Sequence, residues 1–244
     1  MILQALVDYY ERRCASSDPV RRLPAYGWIR RPLDYVIVLS TVGECVGFEF
    51  IGTVDKGQRR GQPRIVPAVG KQALKHTNSG TDANLLWDGS RFILAGPDED
   101  AKRPRSFLAA IDEWLPSSQE PGVLAVKRFV ESLLAKPGDV APLLQSHGVT
   151  DDFAAREPIL AFRLDGDLDL VHEREAVRAT YQASLLQADA HGVSGPCLIS
   201  GEPMAPSAAN ETVIKGVRNA QTSGANIVSF NADSFISYSA AKRA

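Results

Sequence analysis

Two β-branched and aromatic runs constrain this chain more than anything else in it: LDYVIVLS (33–40) and VGFEFIGTV (46–54). Residues of these types fill half-buried pleated surfaces, and the turn between the runs, containing Gly43, predicts a hairpin. Helical spacing appears elsewhere. Ile2, Leu3, Leu6, Val7 and Tyr10 predict an amphipathic helix over 2–14, and Ser106–Leu115 and Val123–Ala135 carry apolar residues every three or four positions. A further short helix is expected after Pro137-Gly138, ending near His147-Gly148. HEREAVRATYQASLLQADAHG predicts a long helix with Gly192 placed to stop it. ILAFRLDGDLDLVH (159–172) predicts a second hairpin turning around Gly166.

Polar punctuation fills the gaps. KGQRRGQPR is too rich in Gly, Pro and charge for regular structure, and IVPAV after it reads as a short strand that Pro67 holds near an edge. RFILAG (91–96) reads as a strand and Pro97–Pro104 as a charged loop. The last fifty residues are loop-rich, with short strands near Cys197–Ile199 and Ile227–Phe230. The mixture predicts an α+β class: antiparallel hairpins with packed helices and a loop-rich C-terminal part, in one irregular domain or two lobes. Its divisions fall at 1–100 (hairpins and loops), 101–192 (mainly helical, with one hairpin) and 193–244 (loop-rich).

No apolar run approaches the roughly 20 residues a spanning helix needs. The N-terminus reaches Asp8 and Glu11 too early for a secretory signal. Cys14, Cys45 and Cys197 lie far apart without CxxC pairs, which points to a reducing, cytoplasmic setting and away from a disulfide framework or zinc knuckle. Net charge is −2, so bulk charge does not make the chain a nucleic-acid binder. Its distribution is uneven: residues 1–75 hold 12 Lys/Arg against 7 Asp/Glu, and the remainder 15 against 22. Six cations and no acid lie between Lys56 and Lys75: Lys56, Arg59, Arg60, Arg64, Lys71 and Lys75. Two readings stay open for them, a solvated hairpin tip and a phosphate-facing patch.

Catalytic patterns fail on inspection. Asp165, Asp167 and Asp169 alternate like the start of a calcium loop, but the sixth position is Leu170 and the twelfth Ala176. His172-Glu173 lacks a second histidine four positions on, where Ala176 stands. Ser194 in GVSGP lacks the last glycine of a nucleophile elbow, and there is neither a GxxxxGK[ST] nor a GxGxxG motif. Cys197 reads as a small buried thiol rather than a nucleophile. No enzyme, metal or cofactor is expected. A cryptic nuclease built on Asp165, Asp167 and Glu173 is the reading to set against that expectation.

Three segments together resemble the large subunit of type I-C CRISPR surveillance (Cascade) complexes. They are MILQALVDYYERR at the start, SGTDANLLWDGSRFILAG at 79–96, and GPCLISGEPMAP followed by IKGVRNAQTSGANIVSFNADSFISY. VHEREAVR at 171–178 fits as well. Ala83, Leu85 and Gly89 stand where the family favours Pro, Phe and Asn, and the missing proline should loosen the loop before binding. The chain ends without the family's C-terminal helical region, so it looks like an N-terminal portion.

The resemblance implies a non-catalytic subunit that reads the protospacer-adjacent motif in duplex DNA, from the minor-groove side, and opens the duplex for guide pairing. Its implied partners are guide RNA, target double-stranded DNA, the handle-binding and backbone subunits, and a helicase-nuclease recruited after target binding; no membrane is involved. Base pairing then carries sequence while protein reads motif and shape. A minor-groove reader needs small uncharged donors and acceptors, which Thr77, Asn78, Ser79, Gly80 and Asn84 supply. Arg59, Arg60, Arg64, Lys71 and Lys75 would sit on phosphates. Asn78 and Asn84 could instead simply turn the backbone. An assembly role is the alternative, with Gln221, Ser223, Ser229 and Asn231 docking guide RNA or a neighbouring subunit, or forming a core network.

Overall fold

A computed structural model describes residues 2–18, 22–55, 57–69, 82–94, 101–189, 195–196, 201, 203–204 and 218–219. The α+β class holds. The chain divides into two compact units, Met1–Leu186 and Gln187–Ala244.

The first unit is organised by a four-stranded mixed sheet. Strands β1 (Trp28–Leu33) and β2 (Tyr35–Leu39) are split by Asp34, and β3 (Cys45–Phe50) returns antiparallel to β2. The expected first hairpin therefore forms. Its turn places Gly43 at φ +92°, against helix α4 (Pro121–Ala135), where a Cβ would lie 2.9 Å from the Ala125 carbonyl oxygen. No other residue fits such a turn without moving the helix.

A small hairpin follows, β4 (Thr53–Asp55) with β5 (Gln58–Arg60), and then β6 (Gln62–Pro67), which pairs antiparallel with β1 as a separate ribbon. This corrects the irregular reading of KGQRRGQPR. Gly57 takes φ +77° in the turn, and cross-strand pairing tolerates the polar side chains because they face solvent. Strand β1 has no counterpart in the sequence expectation.

Strand β7 (Trp87–Gly89) and strand β8 (Ile159–Leu164) complete the sheet in the order β3-β2-β8-β7, with β2 and β8 parallel and the outer pairs antiparallel. Two corrections follow. The segment after β8 is not a returning strand: it turns through Gly166 into a 3-10 turn at Val171–Glu173. RFILAG is not a strand: Ser90–Ile93 forms the short helix α2, since a four-residue apolar run lacks a decisive period.

Helix α1 (Ile2–Cys14), helix α3 (Lys102–Trp114) and helix α4 lie where periodicity put them, although α3 begins inside the expected charged loop, with Pro104 tolerated in its first turn. Helices α5 (Val140–Ser146), α6 (Thr150–Ala155) and α7 (Glu175–Asp189) follow, α6 being unforeseen. The Gly192 stop and the strands expected at 197–199 and 227–230 lie outside the described residues. In the second unit, Gly195–Pro196 (β9) pairs antiparallel with Pro203–Met204 (β10).

The sheet is buried on both faces, as the unbroken apolar runs of its central strands require. Tyr35, Ile37 and Leu39 alternate with Val36 on β2, and Leu160, Phe162 and Leu164 with Ala161 on β8. The first set meets the helices: Phe162 packs at 5.9 Å from the Phe107 ring of α3 and 6.4 Å from Phe129 of α4. The second set meets Leu33, Val66, Trp87 and Leu170, so the β1–β6 ribbon covers the other face. That placement brings the basic segment of the sequence onto the outside of the sheet.

Candidate nucleic-acid interface

Three of the five expected phosphate-binding cations lie within the described residues, and each has a carboxylate partner. On β5, Arg59 Nη1 lies 3.3 Å from Asp152 Oδ2 and also donates to the Tyr35 hydroxyl, while its guanidinium carbon sits 4.8 Å from the centre of the Phe50 ring. Arg60 lies 3.9 Å from Asp55 across the hairpin, and Arg64 on β6 lies 3.9 Å from Glu173. Their side chains remain 41%, 69% and 40% exposed. They are anchored on one side and open to solvent on the other.

Register adds a cation that the sequence expectation passed over. Arg31 of β1 stands directly opposite Arg64 of β6. Like charges in a cross-strand pair repel, and on the Arg64 side Glu173 offsets that repulsion. The signal for Arg31 was its place in WIRRPL, legible only once that segment was known to be a strand.

Asp152 belongs to a larger network. Its Oδ2 accepts from the Tyr35 hydroxyl at 2.8 Å and from Arg156 Nη2 at 3.2 Å. Arg156 Nη1 reaches Asp34 Oδ1 at 2.8 Å, and Asp34 Oδ2 accepts from the Ile159 N–H, also at 2.8 Å. The chain of contacts ties the basic hairpin to α6 and to the start of β8. Partial burial works to raise the Asp152 carboxyl, but hydrogen bonds from Arg156 and Tyr35 outweigh it and hold the group below its usual value. Burial, with the bond to Asp152, pushes the Tyr35 phenol up to about 12.

The expected reading loop is described only at its base. Thr77, Asn78, Ser79 and Gly80 lie outside the described residues, as do Lys71 and Lys75. Both ends of that segment meet at one point: Trp87 Nε1 donates to the Pro67 carbonyl at 2.9 Å. Leu85, Leu86 and Trp87 are 0%, 0% and 4% exposed, which seats the returning end in the core. Leu86 takes φ +61° to make the turn, strain that a leucine sustains only where packing over-determines it.

Asn84 sits inside this base rather than on its surface. It is buried, and both its backbone N–H (2.7 Å) and its Nδ2 (3.1 Å) donate to Asp88 Oδ2. Asp88 Oδ1 accepts from the Gly89 N–H at 2.7 Å. Burial pushes the Asp88 carboxyl up to about 7, against the pull of those hydrogen bonds. The geometry matches a backbone-turning role for Asn84, and the spacing Asn-x-x-x-Asp was its signal in the sequence.

The remaining expected residues do not gather with these. Gln221, Ser223, Ser229 and Asn231 lie outside the described residues. Asp165, Asp167 and Glu173 do not converge: Asp167 pairs with Arg174, and Glu173 Oε2 accepts from the Leu170 N–H at 3.1 Å. Among the described residues no three His, Cys, Asp or Glu side chains are placed to hold a metal ion, and no helix is long and apolar enough to cross a membrane.

Residues 6–244 match the family model of CRISPR-associated proteins termed Cas_Csd1. The chain belongs to that family. Cas_Csd1 is the type I-C large-subunit family, so the resemblance read from the three sequence segments holds at family level. No curated protein matches the chain.

Proposed function

We propose that this Cas_Csd1 member is a non-catalytic subunit of a type I-C surveillance complex, recognising the protospacer-adjacent motif in duplex DNA and aiding its opening for guide pairing. The observation that carries the reading is the tethered base at Pro67 and Trp87. A segment whose two ends are fixed at one buried point can present its small polar residues with less ordering cost on binding. The same strand that leads into it carries Arg64, with Arg31 opposite and Arg59 and Arg60 on the preceding hairpin. Phosphate contacts from such residues set register, and the loop's uncharged groups suit a minor groove. Asn84 leaves the list of base readers and joins the support, which keeps Thr77, Asn78, Ser79 and Gly80.

In this reading the chain works in the cytoplasm with guide RNA, target double-stranded DNA, the handle-binding and backbone subunits, and a helicase-nuclease recruited afterwards. Neutralising about five phosphates would give a slope of roughly −4.5 in log affinity against log salt. Each carboxylate that stays on its arginine in the bound state removes about 0.9 from that slope.

The test is a gel-shift titration of the assembled complex on duplexes with matched and scrambled flanking motifs, comparing wild type with Asn78→Ala/Ser79→Ala. Lost discrimination with intact assembly is the expected result. Unchanged discrimination would overturn motif reading by this loop. Lost assembly would instead favour a docking role.

A further inference from the structure

The two edges of the central sheet are finished differently. On one side β7 is three residues long and wholly buried. On the other, β3 runs for six residues, with Val46 49% exposed and Glu49 also open to solvent. The Leu39 carbonyl of β2 accepts from the Asp165 N–H at the end of β8, so the alternation along β2 turns Val36 and Val38 towards β3. Their partners Glu49 and Gly47 turn back to meet them. Phe48 and Phe50 therefore aim their N–H and C=O groups away from the sheet, and among the described residues none of these groups has a partner.

An edge of unpaired groups is a template for another strand. Its usual safeguards are weak here. The strand has neither Pro nor Lys, its bulge is confined to the end opposite Val38 and Leu39, and the charge of Glu49 is met by Arg163 at 2.5 Å. It is also complementary to itself when turned antiparallel about Phe48. Phe48 then faces Phe48 of a second copy and exchanges both N–H···O bonds with it, Phe50 faces Val46, and Glu49 faces Gly47. No like charges meet. A Cβ added at Gly47 would have nothing within 4 Å, and a glycine inside a strand suits close approach by another chain. At the two ends, Glu44 is exposed beside Cys45, whereas Arg59 rests on the Phe50 ring with 41% of its side chain exposed. An antiparallel arrangement brings the acid of one copy towards the cation of the other.

We infer that β3 is a self-association edge, on which a second copy of this chain adds its own β3 antiparallel and joins the two sheets into one. The contact is isologous, each copy giving what it receives, and it uses backbone bonds for affinity and the facing side chains for register. A few residue pairs make a small contact, so the dimer belongs to the weak, concentration-dependent class. It needs neither nucleic acid nor another subunit, and it stands apart from motif reading.

The test is sedimentation velocity of the full chain across the micromolar range, where wild type should show a monomer–dimer equilibrium. Gly47→Glu sets like charges opposite each other at both symmetry-related positions, and Gly47→Lys sets opposite ones. The dissociation constant should rise about 2- to 30-fold in the first and fall by a similar factor in the second. Gly47→Ala adds no charge and should stay near wild type. Adding Glu49→Gln to Gly47→Lys should cancel the gain, because the lysine then loses its partner on the other copy. Circular dichroism of all four variants should match wild type, since the position is open. An equal constant for Gly47→Glu and Gly47→Lys would overturn the inference. So would a wild-type chain that stays monomeric throughout, which would leave the edge to an extended segment of a different protein.

Discussion

Two arginine-bearing surfaces of this protein differ in what surrounds the charge. On the hairpin and ribbon, Arg59, Arg60 and Arg64 each have a carboxylate within 4 Å, from Asp152, Asp55 and Glu173. On α1, Arg13 rests beside the Tyr9 ring and the acids of that helix turn away. The sequence ranks the first surface higher, because six cations stand there without an intervening acid. In the fold, the acids arrive from elsewhere in the chain. A count of cations along a sequence measures the charge a segment carries, whereas tertiary pairing sets how much of it a ligand meets.

The largest way to disturb the paired surface is acid. His172 is fully buried beside the ribbon, and burial, reinforced by Arg64 and Arg178, outweighs a contact with the Ile65 backbone that favours the charged ring and depresses its pKa to about 3. A folded-state pKa below the ordinary 6.5 means the native protein holds His172 neutral. The stability this confers is fully present above pH 6.5 and is lost as pH falls from there towards 3. Roughly 5 kcal/mol should disappear over that window in urea titrations, and His172→Phe should flatten this part of the profile.

Next in size is Asp34→Ala. It strips Arg156 of one carboxylate and leaves the Ile159 N–H without its acceptor. A loss of about 3 kcal/mol is expected in chemical denaturation. Asp152→Asn is milder and sharpens the comparison directly. It should cost about 1 kcal/mol of stability, and by freeing Arg59 of an ionised partner it should steepen the salt slope of duplex binding by the assembled complex by about 0.9. An unchanged slope would mean that Arg59 meets no phosphate. Smallest of all, Asp8→Asn/Glu11→Gln on α1 should change stability by less than about 0.5 kcal/mol in chemical denaturation.

Local patterns were legible in the sequence wherever a period ran long enough. The 2–14 helix, the hairpin around Gly43 and the helix over Val123–Ala135 follow from spacing alone, because one face of each element repeats over two turns or several residue pairs. The β4–β5 hairpin agrees with the hairpin-tip reading of its cations and not with the irregular reading of KGQRRGQPR, since a two-stranded hairpin exposed on both sides needs no apolar face. The parallel pairing of β2 with β8 joins residues more than a hundred positions apart, and nothing local encodes it. It is also why ILAFRL did not fold back as a hairpin: its partners on both sides were already supplied by β2 and β7. At the candidate site, the apolar root Leu85-Leu86-Trp87 was readable as an anchor. The burial of Asn84 was not: Asp88 four residues on hints at a turn, but the packed core alone decides that the pair lies inside it.

The bond from the Trp87 indole to the Pro67 carbonyl has a consequence for how this surface can change over time. It pins two points of the chain together, and the described residues just inside them, Val69, Ala83, Leu85 and Leu86, are buried as its roots. Lengthening a closed stretch of chain is cheap, about 0.6 kcal/mol for each doubling, whereas exchanging those roots disturbs the core. On the proposed reading, relatives diversify recognition between the roots while keeping the β1–β6 ribbon and the central strands intact, and a graft that keeps Val69 and Ala83–Trp87 is the natural unit for transferring it from one member to another.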